Sequence, residues 1–99
     1  MELLLGVLPQ VLLCMGALPV GPSVCAMLAA VGGVLIALAI GVAVRCDGCI
    51  GFHMQALLKL GASKAEIEET LGMAVYMGGG PSLMYAAHAM QAYDQMTAG

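Results

Sequence analysis

The sequence predicts an all-α subunit, and three observations lead to that prediction. Apolar residues recur at three- and four-residue spacing in the second half of the chain, as they do on helices that bury one face. Helix-capping patterns flank these segments, and no segment shows the strict alternation of a half-buried strand. The 99 residues are 62% hydrophobic and only 9% charged, which is more apolar surface than one small subunit can hide. We therefore expect one domain over residues 1–99 that forms an obligate oligomer.

Charge is sparse and unevenly placed. The formal net charge is −3, and the chain has three basic residues, which offer no electrostatic surface for nucleic acid. Glu2 is the only charged residue before Arg45. The stretch from Leu3 to Val20 is interrupted by glycine and proline and has no basic residue before it, so it makes a poor signal peptide. We expect a cytoplasmic protein.

The apolar first half admits two interpretations. Ser23 to Val44 is uncharged and long enough to span a bilayer. The alternative is a helix that is apolar all round because protein surrounds it. We favour the buried helix for Leu35 to Arg45, whereas both interpretations stay open for residues 1–30. Association with a membrane is the less favoured of the two for the chain as a whole.

Three helices are predicted in the second half. The first covers Ile50 to Leu60 and ends at Gly61, since glycine readily takes the left-handed conformation after a helix. The second covers Lys64 to about Met77. The third begins near Pro81, after the break at residues 78–80, and runs to about Met96. The apolar faces expected for the three are Ile50, Met54, Leu57 and Leu58; Ile67, Leu71, Met73, Ala74 and Met77; and Leu83, Met84, Ala87, Met90 and Tyr93.

A capping box is predicted at the start of the second of these helices. In Ser63-Lys64-Ala65-Glu66, the Ser63 hydroxyl can accept from the amide of Glu66, while the Glu66 carboxylate accepts from the amide of Ser63.

Cys46 and Cys49 have the spacing of a redox dithiol placed where a helix opens. One thiol at this spacing can attack an oxidant or a disulfide, and the other can then close a disulfide onto it. His53 lies four residues after Cys49, so on a continuous helix the two share a face and the imidazole can handle the thiol proton. Arg45 and the first helical amides favour the thiolate, whereas Asp47 opposes it.

This motif admits other interpretations. The cysteines can be small core residues beside a buried histidine. A zinc site would need a further ligand from His88, Cys14 or Cys25. Covalent haem attachment fails because Ile50 stands where the motif requires histidine, and a thioredoxin-like fold lacks its βαβ setting. The redox dithiol is favoured.

The segments Ala-Val-Arg-Cys-Asp-Gly-Cys-Ile-Gly-Phe-His and Leu-Gly-Met-Ala-Val-Tyr-Met-Gly-Gly-Gly-Pro-Ser closely resemble the carboxymuconolactone decarboxylase family, on its alkylhydroperoxidase D-like branch. The resemblance covers Leu35 to about Gln95, and residues 31–99 form the family-like part of the chain. It implies a helical subunit in dimers, trimers or hexamers that reduces hydroperoxides with electrons from a dithiol donor. It also implies that Cys49 attacks the peroxide, Cys46 resolves the sulfenic acid and His53 relays protons. No cofactor and no metal are expected.

The sequence departs from the family at two places. The family's additional proton-relay glutamate, twelve residues before the first cysteine, corresponds to Val34. Residues 1–30 are an atypical apolar segment. The alternative function is therefore a weakened dithiol redox sensor or an oligomeric binding protein. A lactone decarboxylase, which needs no cysteine pair, and a zinc-binding protein are less favoured.

His88 and the three tyrosines are further candidates for a functional role. His88 on the last helix can face a neighbouring subunit's site, but a packing or surface role is preferred. The three tyrosines are expected either in the core or on a pocket wall; they are Tyr76, Tyr85 and Tyr93.

Overall fold

A computed structural model describes residues 24–98 of the chain, with side-chain environments from Ala29 onward. Within this range the chain forms four α-helices and no strand. They are α1 (Val24–Ala43), α2 (Asp47–Leu60), α3 (Lys64–Gly78) and α4 (Gly80–Thr97). The all-α prediction is thus confirmed for the described residues. The expectations for residues 1–23 lie outside them.

The core is formed around α1, which contacts all three other helices. Its residues Val34, Leu38 and Val42 lie four apart, so they form one stripe along the helix, and all three are buried. This stripe meets the buried face of α2, where the predicted residues Ile50 and Met54 are enclosed. The remaining core residues are Leu57, Ile67, Leu71, Ala74, Ala86 and Ala89.

The helix ends follow the predicted capping chemistry. Gly61 has a φ of 81°, and its N–H donates to carbonyl oxygens of the last turn of α2. At the start of α3, the Glu66 amide donates to Ser63 Oγ at 3.1 Å, and the Ser63 amide donates to Glu66 Oε1 at 2.9 Å. The capping box is therefore present as predicted.

Two helix boundaries differ from prediction. Helix α2 begins at Asp47, three residues before the predicted start, because Cys46 rather than a later residue caps it. The predicted break at residues 78–80 is narrower, since only Gly79 lies outside the helices. Gly79 has a φ of 70°, and this left-handed conformation alone redirects the chain.

The predicted apolar face of α3 was too wide. Ile67, Leu71 and Ala74 are buried, but Met73 and Met77 are 60% and 78% exposed. Only one side of α3 packs against the other helices. That side of a helix with 3.6 residues per turn holds fewer residues than the apolar set in the sequence contains.

The predicted apolar face of α4 is only partly right: Met90 and Tyr93 pack against the core as predicted, but the residues predicted for the first turns do not. The buried residues are Ser82, Ala86 and Ala89, whereas the predicted Leu83 and Met84 are 58% and 61% exposed. Short side chains face inward because they let α4 approach its neighbours closely. Leu83 and Met84 consequently point outward, whereas Tyr85, Met90 and Tyr93 are partly buried against the core.

An open apolar groove of about 420 Å³ lies between α1 and α3. Its lining includes Ile36 and Ile40 of α1, which are exposed, and the two exposed methionines of α3. The prediction that α1 is surrounded on all sides is therefore not met within this subunit. Across the described part of the chain, no helix combines the length and apolarity needed to cross a membrane.

Candidate active site

The connection between α1 and α2 places the cysteine pair. Arg45 adopts a left-handed conformation with a φ of 61°, which is uncommon for a residue with a side chain. The Cys46 amide then donates to the carbonyl oxygen of Gly41 at 2.9 Å. The turn therefore folds back on the end of α1 and presents Cys46 at the start of α2.

Cys46 is the N-cap of α2, with extended backbone, and its Sγ accepts a hydrogen bond from the Cys49 amide at 3.2 Å. The two cysteines form a disulfide, with 5.2 Å between their Cα atoms, a spacing common in disulfides. Both residues are half-buried. The free amides at a helix N-terminus also stabilise negative charge, so this position favours the thiolate when the pair is reduced.

His53 follows on α2, four residues after Cys49, so the two lie on one face of the helix. The imidazole is half-buried, and the exposed Phe52 ring packs edge-on against it with 5.3 Å between ring centroids. The predicted site residues Cys46, Cys49 and His53 thus lie within the first two turns of a single helix. Their catalytic roles remain predictions.

Gly41 of α1 lies directly behind the pair. It is buried, and a Cβ atom added there would lie 3.4 Å from Cys49 Cβ and 3.7 Å from Ile50 Cγ1. A methyl group at this position would be in ordinary van der Waals contact with both residues. The sequence offered no signal for this contact, since it depends on how α1 crosses α2.

A contact between Asp47 and His88 was not foreseen from the sequence. His88 Nδ1 lies 2.9 Å from Asp47 Oδ1, which joins α4 to the first turn of α2 across 41 residues of sequence. The Tyr85 ring packs against the His88 ring at 4.9 Å between centroids. His88 is exposed, as a surface role requires, but it contacts the residue that follows Cys46. Asp47, the residue that His88 contacts, is therefore part of the cysteine motif.

Val34, which corresponds to the relay glutamate that the resemblance implies, is 2% exposed. It belongs to the buried stripe of α1 with Leu38 and Val42. A carboxylate here would be surrounded by apolar side chains, which strongly disfavour its charge. In this chain the position serves packing.

The tyrosines have three different environments. Tyr76 is 80% exposed, contrary to the expectation of a core or pocket position. Tyr85 and Tyr93 are partly buried beside the core. The Lys64 ammonium lies 5.9 Å from the centre of the Tyr93 ring.

The ligands for the zinc alternative are not gathered in the described part of the chain. No group of three or more His, Cys, Asp and Glu residues with metal-binding geometry occurs there. Cys14 lies outside the described residues, as does the side chain of Cys25.

Comparison with known proteins adds two relatives. A chain of the carboxymuconolactone decarboxylase family protein lpg0406 from Legionella pneumophila, in a crystal structure of its apo form, superposes with a TM-score of 0.68 at 59% identity, covering 69% of this chain and 61% of that one. An uncharacterised protein of Cupriavidus necator is 39% identical over 64 residues, which are 65% of this chain and 57% of that protein. The chain therefore spans only about three fifths of the length of either relative.

The family itself is shown by a match over most of the chain. Residues 28–92 fit the profile of the carboxymuconolactone decarboxylase family. That segment contains the Cys-x-x-Cys motif, His53, the Asp47–His88 contact and the whole buried core. The chain belongs to the carboxymuconolactone decarboxylase family.

Proposed function

We propose that the protein is a peroxiredoxin-type alkylhydroperoxidase that reduces hydroperoxides through a dithiol and disulfide cycle. The observation that carries the proposal is the Cys46–Cys49 disulfide at the start of α2. A pair that can close a disulfide within one helical turn can both receive oxidising equivalents and pass them to an external dithiol. A purely structural disulfide gains most by closing a long loop, and this one spans a sequence separation of only 3.

The proposed cycle starts with both cysteines reduced. The Cys49 thiolate attacks the terminal oxygen of the hydroperoxide, the O–O bond breaks, and the alkoxide leaves and takes up a proton. Cys49 is then a sulfenic acid. The Cys46 thiolate attacks that sulfur, the S–O bond breaks and the disulfide forms, and the departing hydroxide takes up a proton to become water. An external dithiol reduces the disulfide by exchange and is itself oxidised.

His53 is proposed as the proton-handling group of this cycle. Its position one turn after Cys49 allows it to accept the thiol proton and to return a proton to the departing alkoxide, directly or through one water. Its partial burial limits the number of side-chain orientations, which helps keep the imidazole near the sulfur. No catalytic role is proposed for Val34, so turnover is expected to be slower than in relatives that carry the glutamate.

Hydroperoxide consumption tests this function. Wild-type protein with a dithiol reductant should consume an organic hydroperoxide, and Cys49→Ser should lose this activity entirely because the attacking sulfur is gone. Cys25→Ser, which changes a cysteine outside the motif, should retain it. Equal consumption by the wild type and Cys49→Ser would refute the proposal.

The order of the two cysteines has its own test. In Cys46→Ser, the sulfenic acid formed at Cys49 cannot be resolved, so one equivalent of hydroperoxide followed by dimedone should label Cys49. Mass spectrometry of the digested protein locates the label. If dimedone labels Cys46 in Cys49→Ser but does not label Cys49 in Cys46→Ser, then Cys46 is the attacking cysteine and Cys49 is the resolving one.

A second candidate function is a dithiol sensor that reacts once with an oxidant and turns over poorly. The burial of Val34 among apolar residues favours it, because no carboxylate stands at the family's relay position. The two functions are distinguished by rate: a sensor would form the disulfide stoichiometrically but would show little sustained consumption with excess reductant.

A further inference from the structure

The Asp47–His88 contact places two ionisable side chains beside the cysteine pair. Asp47 lies between the two cysteines in the sequence and is the first residue of α2. His88 reaches it from α4 with 2.9 Å between Nδ1 and Oδ1. The groups that bear on the site are thus Arg45 from the connecting turn, His53 on α2 and this pair, with Tyr85 against the His88 ring.

Stability alone is a weak explanation for the contact. The Asp47 and His88 side chains are 65% and 44% exposed, and ion pairs in water at a protein surface contribute little to the free energy of unfolding. The electrostatic effect on a neighbouring thiolate is more direct, because a carboxylate two residues from Cys49 disfavours a second negative charge there. A protonated imidazole beside that carboxylate opposes this effect.

The contact is also held in place from the α4 side. Tyr85 lies one turn before His88, is partly buried against the core, and packs its ring against the imidazole at an angle of 59°. The Tyr85 ring restricts the rotamers open to His88. The imidazole is therefore kept near Asp47 while remaining open to protons from solvent.

We propose that His88 is a positioning residue of the cysteine site that acts through Asp47: its positive charge offsets the Asp47 carboxylate and raises the fraction of Cys49 present as thiolate. The inference rests on the proposed function only in taking the Cys49 thiolate as the reactive species. It adds α4, and a residue far from the motif in sequence, to the machinery that sets the reactivity of the pair.

The test measures the rate at which iodoacetamide alkylates Cys49 in the reduced protein, between about pH 5 and pH 8, where histidine side chains change charge. His88→Gln keeps a hydrogen-bond donor but removes the charge. At pH 6 its alkylation should be about threefold slower than wild type, the order of effect expected for one solvent-screened charge. The difference should shrink toward pH 8, because histidine side chains in general lose their charge between about pH 5 and pH 8.

Asp47→Asn completes a double-mutant cycle. It should speed alkylation, and His88→Gln should have a smaller effect when added to it, because the imidazole then lacks the carboxylate that holds it at the motif. Gln91→Ala, an exposed change on the same helix, should match the wild type. Thermal unfolding monitored by circular dichroism checks that each variant is folded.

Two results would overturn the inference: a wild-type rate in His88→Gln at pH 6, or a slowing by His88→Gln that is undiminished in the Asp47→Asn background. Iodoacetamide is not a peroxide, so these results are separate from the proposed function. If alkylation responds as expected but no hydroperoxide is consumed, the electrostatic role of His88 stands and the peroxidase function fails.

Discussion

Two glycines of α1 differ sharply in how close their neighbours lie. Gly41 and Gly32 both lie in α1, nine residues apart. A Cβ at Gly41 would touch Cys49, whereas a Cβ at Gly32 would meet nothing within 4 Å. Gly41 also accepts the hydrogen bond from the Cys46 amide through its carbonyl oxygen. One backbone position of α1 therefore supports both cysteines.

Gly41→Val is predicted to disturb the pair. The two methyl groups of valine would press on Cys49 and Ile50, and overpacking of this kind lowers the free energy of unfolding by about 1–3 kcal/mol. The disulfide should also become easier to reduce, as measured by equilibration with dithiothreitol. Gly41→Ala, which only reaches van der Waals distance, should be much milder.

Gly32→Val is the matched control for this prediction. It adds the same β-branched side chain to the same helix, so any cost of valine to the helix itself is common to both variants. If urea unfolding shows the same loss for Gly32→Val and Gly41→Val, the contact with Cys49 does not explain the effect.

At the scale of elements, α3 shows how local chemistry sets a helix start. The side chain of each of Ser63 and Glu66 accepts a hydrogen bond from the backbone amide of the other. Both residues are exposed, so their interaction depends little on the rest of the fold. The hydrogen bond from the Ser63 amide, followed by that with the Ser63 side chain, holds the pKa of Glu66 below its usual value of 4.5. A pattern that involves only neighbouring residues can be recognised from the sequence alone.

The lowered pKa of Glu66 predicts a dependence of stability on pH. The unfolded chain binds a proton at Glu66 more readily than the folded chain does, so the stabilisation is fully present above about pH 4.5 and is lost as pH falls through the lower folded pKa. Glu66→Gln should therefore lose less stability than wild type between pH 5 and pH 3.

Urea unfolding at a series of pH values measures this difference. Glu69→Gln, which neutralises an exposed acid on the same helix, should follow the wild-type pH dependence more closely than Glu66→Gln does. Parallel curves for wild type and Glu66→Gln would show that the capping carboxylate makes no pH-dependent contribution.

At the scale of the whole molecule, many large apolar side chains of the described residues are exposed rather than buried. Large side chains remain outside the core on α1, α3 and α4, while alanines and a serine fill the inner face of α4. Several of these exposed side chains, including Ile40 and Met77, line the apolar groove between α1 and α3. A second copy of the subunit is the proposed partner, consistent with the prediction of an oligomer from composition.

Ile40→Glu is predicted to weaken this assembly, because it would place a charge in an apolar contact. Light scattering after size-exclusion chromatography should show an oligomer for the wild type and a smaller species for Ile40→Glu. Gln95→Glu, which adds the same charge at an exposed position on α4, should leave the assembly unchanged. A folded, monomeric wild type would contradict the prediction.

The sequence by itself determined the helical class, most helix ends and the cysteine motif with its histidine. These features depend on residues within about four positions of one another: the spacing on α2, the Ser63–Glu66 box and the left-handed Gly61. Local hydrogen bonds and helical periodicity act over that distance, so a single sequence displays them.

Only the tertiary structure decided which faces are buried and what surrounds the cysteines. The helical period marks an apolar stripe but not its width, so Met73 and Leu83 were assigned to the core and lie outside it. Nothing local connects Asp47 with His88, which are separated by 41 residues. Their contact exists because α4 packs against α2, and packing of helices depends on the shapes of all the side chains between them.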